Sequence, residues 1–466
     1  MTNELRNSKH SADDALAYEK VDALRSGLLS RAGPLREQHG RGEGLATLAP
    51  PDAVAFPESV AEIQAIMRLC SQHNVPVIPF GSGTSLEGHV TAPHGGLCID
   101  LSKMNKIIEV RQEDLDCTIE PGVTREQLNA YLRDQGLFFP IDPGANATLG
   151  GMASTRASGT NAVRYGTMRD IVLSADIVLS DGRLITTGGR ARKSSAGYDL
   201  TRLFIGSEGT LGIICQLRVR LFGIPESISS AVCQFDSLEG AVQCVAETIQ
   251  VGVPVARMEL LDEVQIAACN AYSNLSFELA PTLFFEFHGS EASVHDQTEL
   301  VEQLAQANGG LGFQWETTTE KRAALWKARH DAYFAAKALR PGTTAAITDV
   351  CVPMSRLVEC IRQTRADIDM LGLQAPIVGH VGDGNFHVII LIDENNSDEV
   401  ARFQDFDTQL VARALEMEGT CTGEHGIGSG KRAKLVNELG EGAVELMRFI
   451  KQGFDPTGIM NPGKIV

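Results

Sequence analysis

The sequence is poor in basic residues and contains no long apolar run. Lysine and arginine number 41 against 59 aspartates and glutamates, which gives a formal net charge of -18. So large an acidic excess argues against a nucleic-acid partner and offers no basic surface to anionic lipids. No apolar stretch approaches the ~18 residues that a membrane-spanning helix needs. We therefore expect no transmembrane segment, while peripheral association with a membrane partner stays open.

Closely spaced cysteines and a targeting signal are also missing. Ten cysteines are spread singly from Cys70 to Cys421, and no C-x-x-C pair occurs. This spacing favours reduced thiols over a disulfide framework or a thiolate zinc site. The first residues contain no apolar stretch, and Asp13, Asp14 and Glu19 are untypical of a transit peptide. We expect the chain to begin as written and the protein to be cytoplasmic, with the inner face of the membrane as a further location.

The remaining composition is that of an ordinary globular enzyme. The chain has 466 residues, of which 21% are charged and 43% hydrophobic, so two or three domains are expected. Near Pro225, glycine-rich segments give way to alternating strands and helices. This change predicts a domain boundary there and a second α+β domain after it.

Local signals predict several elements. A helix from about Ser11 to Leu29 is followed by a loop that extends to Pro51. Ser59 and Glu62 have the spacing of a capping box, which predicts that a helix begins there. The pair Asp181-Gly182 lies between two apolar runs and predicts a β-hairpin.

Histidine is scarce, yet three of the 11 histidines lie in two glycine-rich motifs near the C-terminus. The first motif runs from Gly379 to His387 and contains His380; the second runs from Thr422 to Gly428 and contains His425. Such a concentration suits a metal or a proton-transfer site. The alternative is that these histidines only satisfy backbone groups at strand ends.

The spacing of the first motif brings its two histidines together. His380 ends one predicted strand and His387 begins the next, and an Asp383-Gly384 turn lets the two rings meet. With Glu424 they form a set of two histidines and one carboxylate, as used where a metal must also bind substrate. This mixed nitrogen and oxygen set accepts zinc, manganese or iron. His425 projects differently from Glu424 in an irregular turn and can therefore act as a base toward a substrate.

A glycine-rich loop, Phe80–His89, follows a predicted strand that ends at Pro79. Small residues in succession let backbone N–H groups converge into a nest that holds a phosphate. The loop fits neither G-x-G-x-x-G opening a helix nor the Walker pattern, so neither a Rossmann fold nor a P-loop is supported. A plain glycine turn is the alternative.

Two further stretches combine many small residues with few charges. The longer one extends from Pro143 to Gly166, and the shorter one from Ile205 to Ile214. Small side chains allow a flat or extended ligand to approach the backbone closely. A ligand-facing role is therefore predicted for the longer stretch, and a surface loop is the alternative.

The order of these motifs resembles that of the FAD-linked oxidases with the vanillyl-alcohol-oxidase fold. Within that group the sequence is similar to the cytochrome-type D-lactate dehydrogenases, which are relatives of glycolate oxidase and D-2-hydroxyglutarate dehydrogenase. The resemblance extends from about residue 50 to the end. The motifs that carry it are Phe80-Gly-Ser-Gly-Thr-Ser, Asp142-Pro-Gly, Thr148-Leu-Gly-Gly-Met, Ser158-Gly-Thr-Asn, Ile205-Gly-Ser-Glu-Gly-Thr-Leu-Gly, Gly379-His-Val-Gly-Asp-Gly-Asn-Phe-His, Gly423-Glu-His-Gly-Ile-Gly and Asn461-Pro-Gly-Lys.

The resemblance implies an α+β fold with a two-part PCMH-type FAD-binding domain, a second α+β substrate (cap) domain and a C-terminal helical return. The implied parts are residues 1–50 (N-terminal helix and loop), 51–224 (FAD binding), 225–402 (substrate) and 403–466 (helical segment that completes the active site). FAD is expected to be non-covalent, because covalent relatives carry a histidine within the first loop and residues 81–86 contain none. His89 lies beyond that loop and is expected to be structural.

The resemblance also assigns residues to FAD. The first loop is expected to bind the pyrophosphate, and the following small residues the flavin and ribityl chain. Glu208, Gly209 and Ile213 are expected to lie by the adenine half or the ring edge, and Asn461 is expected to close the pocket. The implied residues are Pro79, Gly81, Ser82, Gly83, Thr84, Ser85 and Leu86; Pro143, Gly144, Thr148, Gly151, Ser154, Ser158, Gly159, Asn161 and Tyr165; and Glu208, Gly209, Ile213 and Asn461.

The implied activity is the oxidation of a D-2-hydroxy acid, D-lactate first, with hydride transfer to flavin N5. Oxidation of a 2-hydroxy acid requires a base and a cation for the carboxylate. In the resembled family His380, His387 and Glu424 are the metal ligands, His425 is the base and Arg329 matches the substrate arginine. For Arg329 a surface ion pair is the plainer alternative.

Several alternatives stay open. D-2-hydroxyglutarate and glycolate are competing substrates, and a metal-dependent hydrolase and a flavin-binding module without catalysis are competing functions. The electron acceptor is expected to be a cytochrome, a quinone or an electron-transfer flavoprotein, and a homodimer is open. Asp349 and Asp383 are possible partners of the metal-binding histidines.

Overall fold

The structure is a computed structural model that describes residues 12–45 and 48–466. Ser11, at which the first predicted helix begins, lies outside the described residues. The strands, in chain order, are β1 (Leu29–Ser30), β2 (Ala53–Ala55), β3 (Val77–Phe80), β4 (Leu97–Asp100), β5 (Ile107–Arg111), β6 (Asp116–Ile119), β7 (Leu137–Phe138), β8 (Val172–Val178), β9 (Leu184–Thr186), β10 (Ile213–Arg220), β11 (Phe222–Gly223), β12 (Ser227–Phe235), β13 (Val255–Leu261), β14 (Thr282–Gly289), β15 (Gly310–Glu316), β16 (Thr344–Ile347), β17 (Val350–Cys351), β18 (Ile377–Gly379) and β19 (Asn385–Ile392).

Helices alternate with these strands along most of the chain. They are α1 (Ala12–Asp22), α2 (Gly33–His39), α3 (Val60–His73), α4 (Arg125–Leu132), α5 (Leu149–Thr155), α6 (Ala162–Tyr165), α7 (Met168–Ile171), α8 (Leu200–Phe204), α9 (Leu238–Gln250), α10 (Glu263–Ser273), α11 (Glu291–Ala307), α12 (Thr319–Ala338), α13 (Met354–Met370), α14 (Ser397–Glu416) and α15 (Arg432–Phe454). Helix α15 is interrupted at Gly440, whose φ is +78°. The predicted α+β class is therefore confirmed.

The chain divides into two compact units. The first unit consists of the chain up to Ala157 together with Thr167–Gly223 and Glu424–Val466. The second unit consists of Ser158–Gly166 and Ile224–Gly423. The four-part division predicted from the sequence stays a prediction.

The first unit has two main sheets. One has the strand order β1-β2-β4-β3, with parallel pairing of β2 and β3 to β4. The other is antiparallel, with the order β5-β6-β10-β8-β9. Two hydrophobic cores accompany these sheets: one includes Ile63 and Val77 and also Ile213 of the second sheet, and the other includes Leu128 and Phe139. The first unit is therefore two-part, as predicted for the FAD-binding domain.

The second unit has one large antiparallel sheet in the order β15-β12-β14-β13-β18-β19-β16, and β17 pairs with β19. Helix α12 packs against helix α10 and against this sheet, and Trp326 on α12 is buried in their shared core. At Ala328 and Ala332 the backbone of α12 is close enough to accept hydrogen bonds from Cys269 and Gln265 of α10, which the small alanine side chains permit. Charged side chains on α12 consequently reach residues of β13.

The local signals that were strongest in the sequence are confirmed. The Ser59 side chain accepts a hydrogen bond from Glu62 N at 3.3 Å and caps α3. The Glu62 carboxylate binds Glu58 N rather than Ser59 N, so only half of the capping box forms. Gly182 has φ +81° in the turn between β8 and β9, as the predicted hairpin requires.

Other predictions were wrong in detail. Part of the predicted loop before Pro51 is helix α2, which begins with Gly33 and Pro34, because proline suits the first turn of a helix. The first helix ends at Asp22, seven residues before the predicted end. After Pro225 the predicted alternation of strands and helices is present, and it includes helix α10 and strand β15, for which no local signal was identified.

The structure bears on the predictions about transmembrane segments and cysteines. Among the described helices, none is both long and apolar enough to cross a membrane. All ten cysteines lie in the described part of the chain and are unpaired with one another, and all except Cys351 are buried.

Candidate active site

The His380 and His387 rings lie side by side on a tight hairpin of the second unit. Strand β18 pairs with β19 so that Val378 is opposite His387, and a short 3-10 helix, Val381–Asp383, connects the strands. The ring centroids of the two histidines are 5.7 Å apart, and their planes are nearly perpendicular. Both residues are buried. The predicted meeting of the two rings is confirmed.

Each of these histidines uses Nδ1 to contact a protein oxygen. Nδ1 of His380 is 2.7 Å from Oε1 of Glu259, and Nδ1 of His387 is 3.0 Å from the Thr348 carbonyl oxygen. Metal-binding histidines commonly donate one ring N–H to a carboxylate or carbonyl, which leaves the other nitrogen for the metal. Nε2 is therefore the ring nitrogen that a metal would take in both residues.

Glu259 joins His380 to the predicted substrate arginine. It lies on β13, is fully buried, and accepts a hydrogen bond at Oε2 from Nε of Arg329 at 2.7 Å. Burial raises the pKa of the Glu259 carboxyl, but His380 and Arg329 outweigh burial, so that the pKa lies below its usual value. One ionised carboxylate consequently orients a histidine and a guanidinium together.

The role of Glu259 was missed in the sequence. A carboxylate between apolar neighbours in a predicted strand is a signal that it has a buried partner. The identity of that partner depends on the pairing of β13 with β18 and on the packing of α12, which no local pattern discloses. Arg329 does form an ion pair, as its plainer alternative suggested, but the partner is buried and not on the surface.

Asp349 holds the end of the second motif and also lies beside His387. Its Oδ2 accepts hydrogen bonds from Thr422 Oγ1 at 2.7 Å and from Gly423 N at 2.8 Å. Its Oδ1 accepts a hydrogen bond from Asn385 and lies 3.7 Å from Nδ1 of His387. Asp349 thus fixes the backbone just before Glu424.

Glu424 and His425 belong to the first unit. The backbone that follows them is held by Glu208, whose two carboxylate oxygens accept hydrogen bonds from Ile427 N and Gly428 N, both at 2.7 Å. Nδ1 of His425 lies 4.0 Å from Oε1 of Glu87. The predicted metal set draws on residues of both units, and its assembly stays a prediction.

The predicted phosphate loop follows β3 in the first unit. Gly81 is packed so closely that a Cβ atom there would lie 2.3 Å from Thr148 Oγ1, and Gly83 has φ +72°. Ser82 Oγ and Thr84 Oγ1 are 3.3 Å apart. This loop requires glycine at two positions and carries several hydroxyls.

The long stretch of small residues is not irregular throughout. Thr148 caps helix α5 through a hydrogen bond from Gly151 N, and Ser154 Oγ donates to Gly150 O at 2.8 Å. Pro143 and Gly144 precede this helix in an irregular segment. The stretch therefore contains two short helices, α5 and α6, and α5 begins after Thr148 because that residue is a good N-cap.

The end of this stretch, Ser158–Gly166, belongs to the second unit and contains four predicted FAD residues: Ser158, Gly159, Asn161 and Tyr165. Asn161 Oδ1 accepts a hydrogen bond from Nε of Arg257 at 3.1 Å. The Tyr165 hydroxyl is 2.7 Å from Nδ1 of His288, whose Nε2 is 2.9 Å from Glu286. Burial raises the pKa of the Tyr165 hydroxyl, which therefore keeps its proton at neutral pH.

The later predicted FAD residues surround the Glu208 backbone in the first unit. Gly209 has φ +71° and lies against Pro79. Asn461 Nδ2 donates to the carbonyl oxygens of Glu208 at 2.7 Å and His89 at 3.1 Å. Ile213, the first residue of β10, is fully buried in a hydrophobic core.

The first unit fits a polar ligand such as FAD at these positions. Ser85 Oγ, His89 Nδ1 and Asn461 Oδ1 are buried, and no partner within the described residues satisfies them. Buried polar atoms in proteins are nearly always hydrogen-bonded. Three such atoms beside the predicted FAD segments therefore indicate a bound group that carries donors and acceptors.

Comparison with known families identifies the family of this chain. A sequence model of the FAD linked oxidases, C-terminal domain, matches residues 224–465, and one of an FAD binding domain matches residues 51–188. The chain belongs to the FAD-linked oxidases. It binds FAD and is an FAD-dependent oxidoreductase.

Relatives in this family include mitochondrial and bacterial proteins. The chain is 53% identical to "Probable D-lactate dehydrogenase, mitochondrial" of Danio rerio, over 98% of this chain and 94% of that protein. It is 47% identical to "D-lactate dehydrogenase [cytochrome], mitochondrial" of Arabidopsis thaliana, over 89% and 73%. It is 34% identical to "Glycolate oxidase subunit GlcD" of Bacillus subtilis, over 89% of each.

Solved structures show the same fold at low identity. p-Cresol methylhydroxylase matches with a TM-score of 0.81 and 18% identity, over 98% of this chain and 97% of that one. Alkyldihydroxyacetonephosphate synthase matches with a TM-score of 0.74 and 19% identity, over 96% and 84%. The predicted PCMH-type flavoprotein architecture is therefore confirmed.

Proposed function

We propose that the protein oxidises a D-2-hydroxy acid, D-lactate first, to the 2-oxo acid. The similarity to relatives named D-lactate dehydrogenase supports this substrate. The structural observation that carries the proposal is the Glu259 carboxylate, which holds Arg329 and His380 at 2.7 Å each. A carboxylate-binding cation and a histidine are thereby fixed next to each other, as a 2-hydroxy acid requires.

Arg329 is the proposed anchor for the substrate carboxylate. Its Nε donates to Glu259 and its side chain is mostly buried, which leaves the two Nη groups as the donors for a carboxylate. A guanidinium held by one buried partner keeps a fixed orientation. Its planar group can then bind one carboxylate through two parallel hydrogen bonds.

His425 is the proposed base that removes the hydroxyl proton. Its backbone is flanked by Gly423, whose N–H is bound by Asp349, and by Ile427, whose N–H is bound by Glu208. Proton abstraction requires a base held in place, because efficiency falls steeply with misalignment. Bound FAD would supply flavin N5 as the acceptor for the hydride from the carbon that carries this hydroxyl.

His380, His387 and Glu424 are the proposed ligands of a divalent metal: zinc, manganese or iron. The Nδ1 contacts of both histidines and their 5.7 Å ring separation support this proposal. Glu424 follows Gly423 directly, and Asp349 binds Gly423 beside His387. A metal at these ligands would lower the pKa of the substrate hydroxyl.

FAD is proposed to be dissociable, with its pyrophosphate on residues 81–86 and the flavin near Asn461. The orphaned Ser85 hydroxyl and Asn461 carbonyl support these positions. Electrons would leave to a cytochrome, as the name of the plant relative suggests, or to a quinone or an electron-transfer flavoprotein. A cytoplasmic location, peripheral membrane association and a homodimer stay proposals.

A reductive titration tests this function. The full chain, loaded with FAD, is mixed anaerobically with D-lactate, L-lactate, glycolate or D-2-hydroxyglutarate, and the flavin absorbance is followed. We expect D-lactate to bleach the flavin fastest and L-lactate to leave it oxidised. His425→Ala should keep the flavin spectrum and lose the bleaching, which a flavin-binding module without catalysis would not show. Faster bleaching by another acid would reassign the substrate, and no bleaching by any of them would refute the function.

A further inference from the structure

The Glu208 carboxylate lies beneath the turn that carries Glu424 and His425. We infer that Glu208 is a positioning residue for His425, through its hold on the backbone that follows. This inference rests on the proposed role of His425 as the base. The resemblance in sequence implied that Glu208 contacts FAD. The positioning of His425 is a different function.

Both carboxylate oxygens of Glu208 are used for this hold. Oε1 accepts from Ile427 N and Oε2 from Gly428 N, each at 2.7 Å, and only 5% of the residue is exposed. The His89 ring adds a third contact, with Nε2 at 3.2 Å from Oε2. Hydrogen bonds from N–H groups to a buried, ionised carboxylate are about twice as strong as bonds between neutral groups.

Glu208 is ionised in this arrangement. Burial raises the pKa of its carboxyl, but the His89 ring and the two backbone N–H groups outweigh burial, so that the pKa lies below its usual value. An ionised carboxylate accepts at both oxygens and donates at neither. The two N–H groups of the turn thus meet acceptors only.

The backbone of Glu208 has a conformation that favours glycine. Its φ is +53°, and the neighbouring Gly206 and Gly209 have φ +89° and +71°. A non-glycine residue there costs roughly 1–3 kcal/mol. Asn461 donates to the Glu208 carbonyl oxygen at 2.7 Å and helps to hold this conformation. The side chain of Glu208 therefore has a role that outweighs the backbone strain.

The turn lies directly on the carboxylate. Gly426, between His425 and Ile427, has φ +83°, and a Cβ atom there would be 2.7 Å from Oε1 of Glu208 and 2.9 Å from Nε2 of His89. The turn is in direct contact with the Glu208 carboxylate. A shift of this carboxylate therefore displaces the backbone of Gly426, the residue next to His425. Misplacement of a catalytic group by about 1 Å can reduce the rate about 100-fold.

The Glu208→Gln substitution is a sharp test. Glutamine keeps the size of the side chain, but its NH2 group would face one of the two backbone N–H donors. At saturating D-lactate we expect flavin reduction to be about 10- to 100-fold slower, with KM and FAD affinity within about threefold of wild type. The solvent deuterium isotope effect on flavin reduction should increase, because a misplaced base makes proton transfer more rate-limiting. Glu208→Asp should restore part of the rate.

Asp455→Asn is the matched control in the same unit. Asp455 is also buried and also accepts two backbone N–H bonds, from Ile459 at 3.1 Å and Met460 at 2.8 Å. We expect this variant to melt at a lower temperature but to reduce its bound flavin at the wild-type rate. A general loss of stability is thus distinguished from loss of alignment.

The outcomes separate this inference from the proposed function. If FAD-loaded wild type is not reduced by any D-2-hydroxy acid, the proposed function fails. If wild type is reduced and Glu208→Gln matches its rate and isotope effect per bound flavin, the positioning role is wrong, even where FAD affinity falls. Should Glu208→Gln not fold, Gly426→Ala decides, because it pushes on the same carboxylate: slow reduction supports the role and wild-type reduction overturns it.

Discussion

Glu259 shows how one residue can serve two functional groups. Its carboxylate is fully buried and takes Arg329 on one oxygen and His380 on the other. Loss of a carboxylate that supports a metal-binding histidine typically lowers metal affinity or activity by 10- to 100-fold. The proposed substrate anchor, Arg329, and the proposed metal ligand, His380, should therefore lose their orientation together when Glu259 is replaced.

Glu259→Gln tests this coupling. The amide NH2 group cannot accept hydrogen bonds, so either the arginine or the histidine loses its partner. We expect kcat/KM for D-lactate and the affinity for the bound metal to fall by roughly 10- to 100-fold each, with FAD affinity unchanged. Steady-state kinetics and metal analysis check this result.

Asp367→Asn is the control for Glu259→Gln, since it removes a carboxylate that pairs with Arg413 elsewhere in the second unit. Its kinetics should equal those of wild type. Wild-type metal affinity in Glu259→Gln would contradict the shared support.

Ser85→Ala tests the FAD site at a single hydroxyl. Ser85 Oγ is buried with no partner among the described residues, so its loss should cost the protein nothing without FAD and about 0.5–1.5 kcal/mol of binding with FAD. We expect the Kd for FAD to rise roughly 2- to 12-fold and the melting temperature of FAD-free protein to stay the same.

Ser174→Ala provides the comparison, because Ser174 Oγ is equally buried and equally without a partner but lies within β8. Its substitution should leave the Kd for FAD unchanged. Equal FAD affinities in Ser85→Ala and wild type would show that the Ser85 hydroxyl does not contact FAD.

The β18–β19 hairpin is the element on which the proposed metal site depends. Its turn closes at Gly384, which has φ +78° and lies so near β17 that a Cβ atom would be 2.1 Å from the Val352 carbonyl oxygen. Glycine is thus required for both conformation and space. Gly372, in the same unit, has φ +60° but no heavy atom near its missing Cβ.

Alanine substitutions at Gly372 and Gly384 distinguish the effect of backbone strain from the effect of steric crowding. Gly372→Ala should cost about 1–2 kcal/mol of stability, from the left-handed backbone alone. Gly384→Ala should cost about 1–3 kcal/mol more, from overpacking, and should also reduce the bound metal, because the two histidine rings move apart. Melting temperatures and metal content of both variants check this. Equal metal loss in both would show that strain alone disturbs the site.

Elements encoded by adjacent residues were predictable from the sequence. The histidine hairpin, the Ser59 cap and the Asp181-Gly182 turn depend on local spacing, and each is present. The partners of Arg329, Tyr165 and Glu208 were not predictable, because strand pairing and helix packing bring distant segments together. Helix α2 was missed since its seven residues carry little apolar periodicity.

Nine of the ten cysteines of the molecule are buried, and Cys351 is the exception. Burial raises the pKa of Cys70, Cys117 and Cys215 to about 12, against roughly 8.5 in an unfolded chain. The folded state thus holds these protons more tightly than the unfolded state does. Stability from this source is complete below about pH 8.5 and is lost as pH rises from there toward 12.

The alkaline limb of the stability profile should therefore depend on the number of buried thiols. Each one contributes a slope of up to about 1.4 kcal/mol per pH unit above its unfolded pKa. We expect Cys70→Ala to be less stable than wild type at pH 7 but to lose stability more slowly between pH 9 and 11. Thermal melting of both proteins across this range checks the difference, and parallel curves would contradict it.

The assignment of Ser158–Gly166 to the second unit has a consequence for any attempt to divide the protein. This segment is flanked on both sides by residues of the first unit. A fragment ending near residue 224 would retain Asn161 and Tyr165 but lose Arg257 and His288, to which they are bonded. The first unit is therefore not a transferable module, and a hybrid enzyme made by exchanging units must exchange these nine residues together with the second unit.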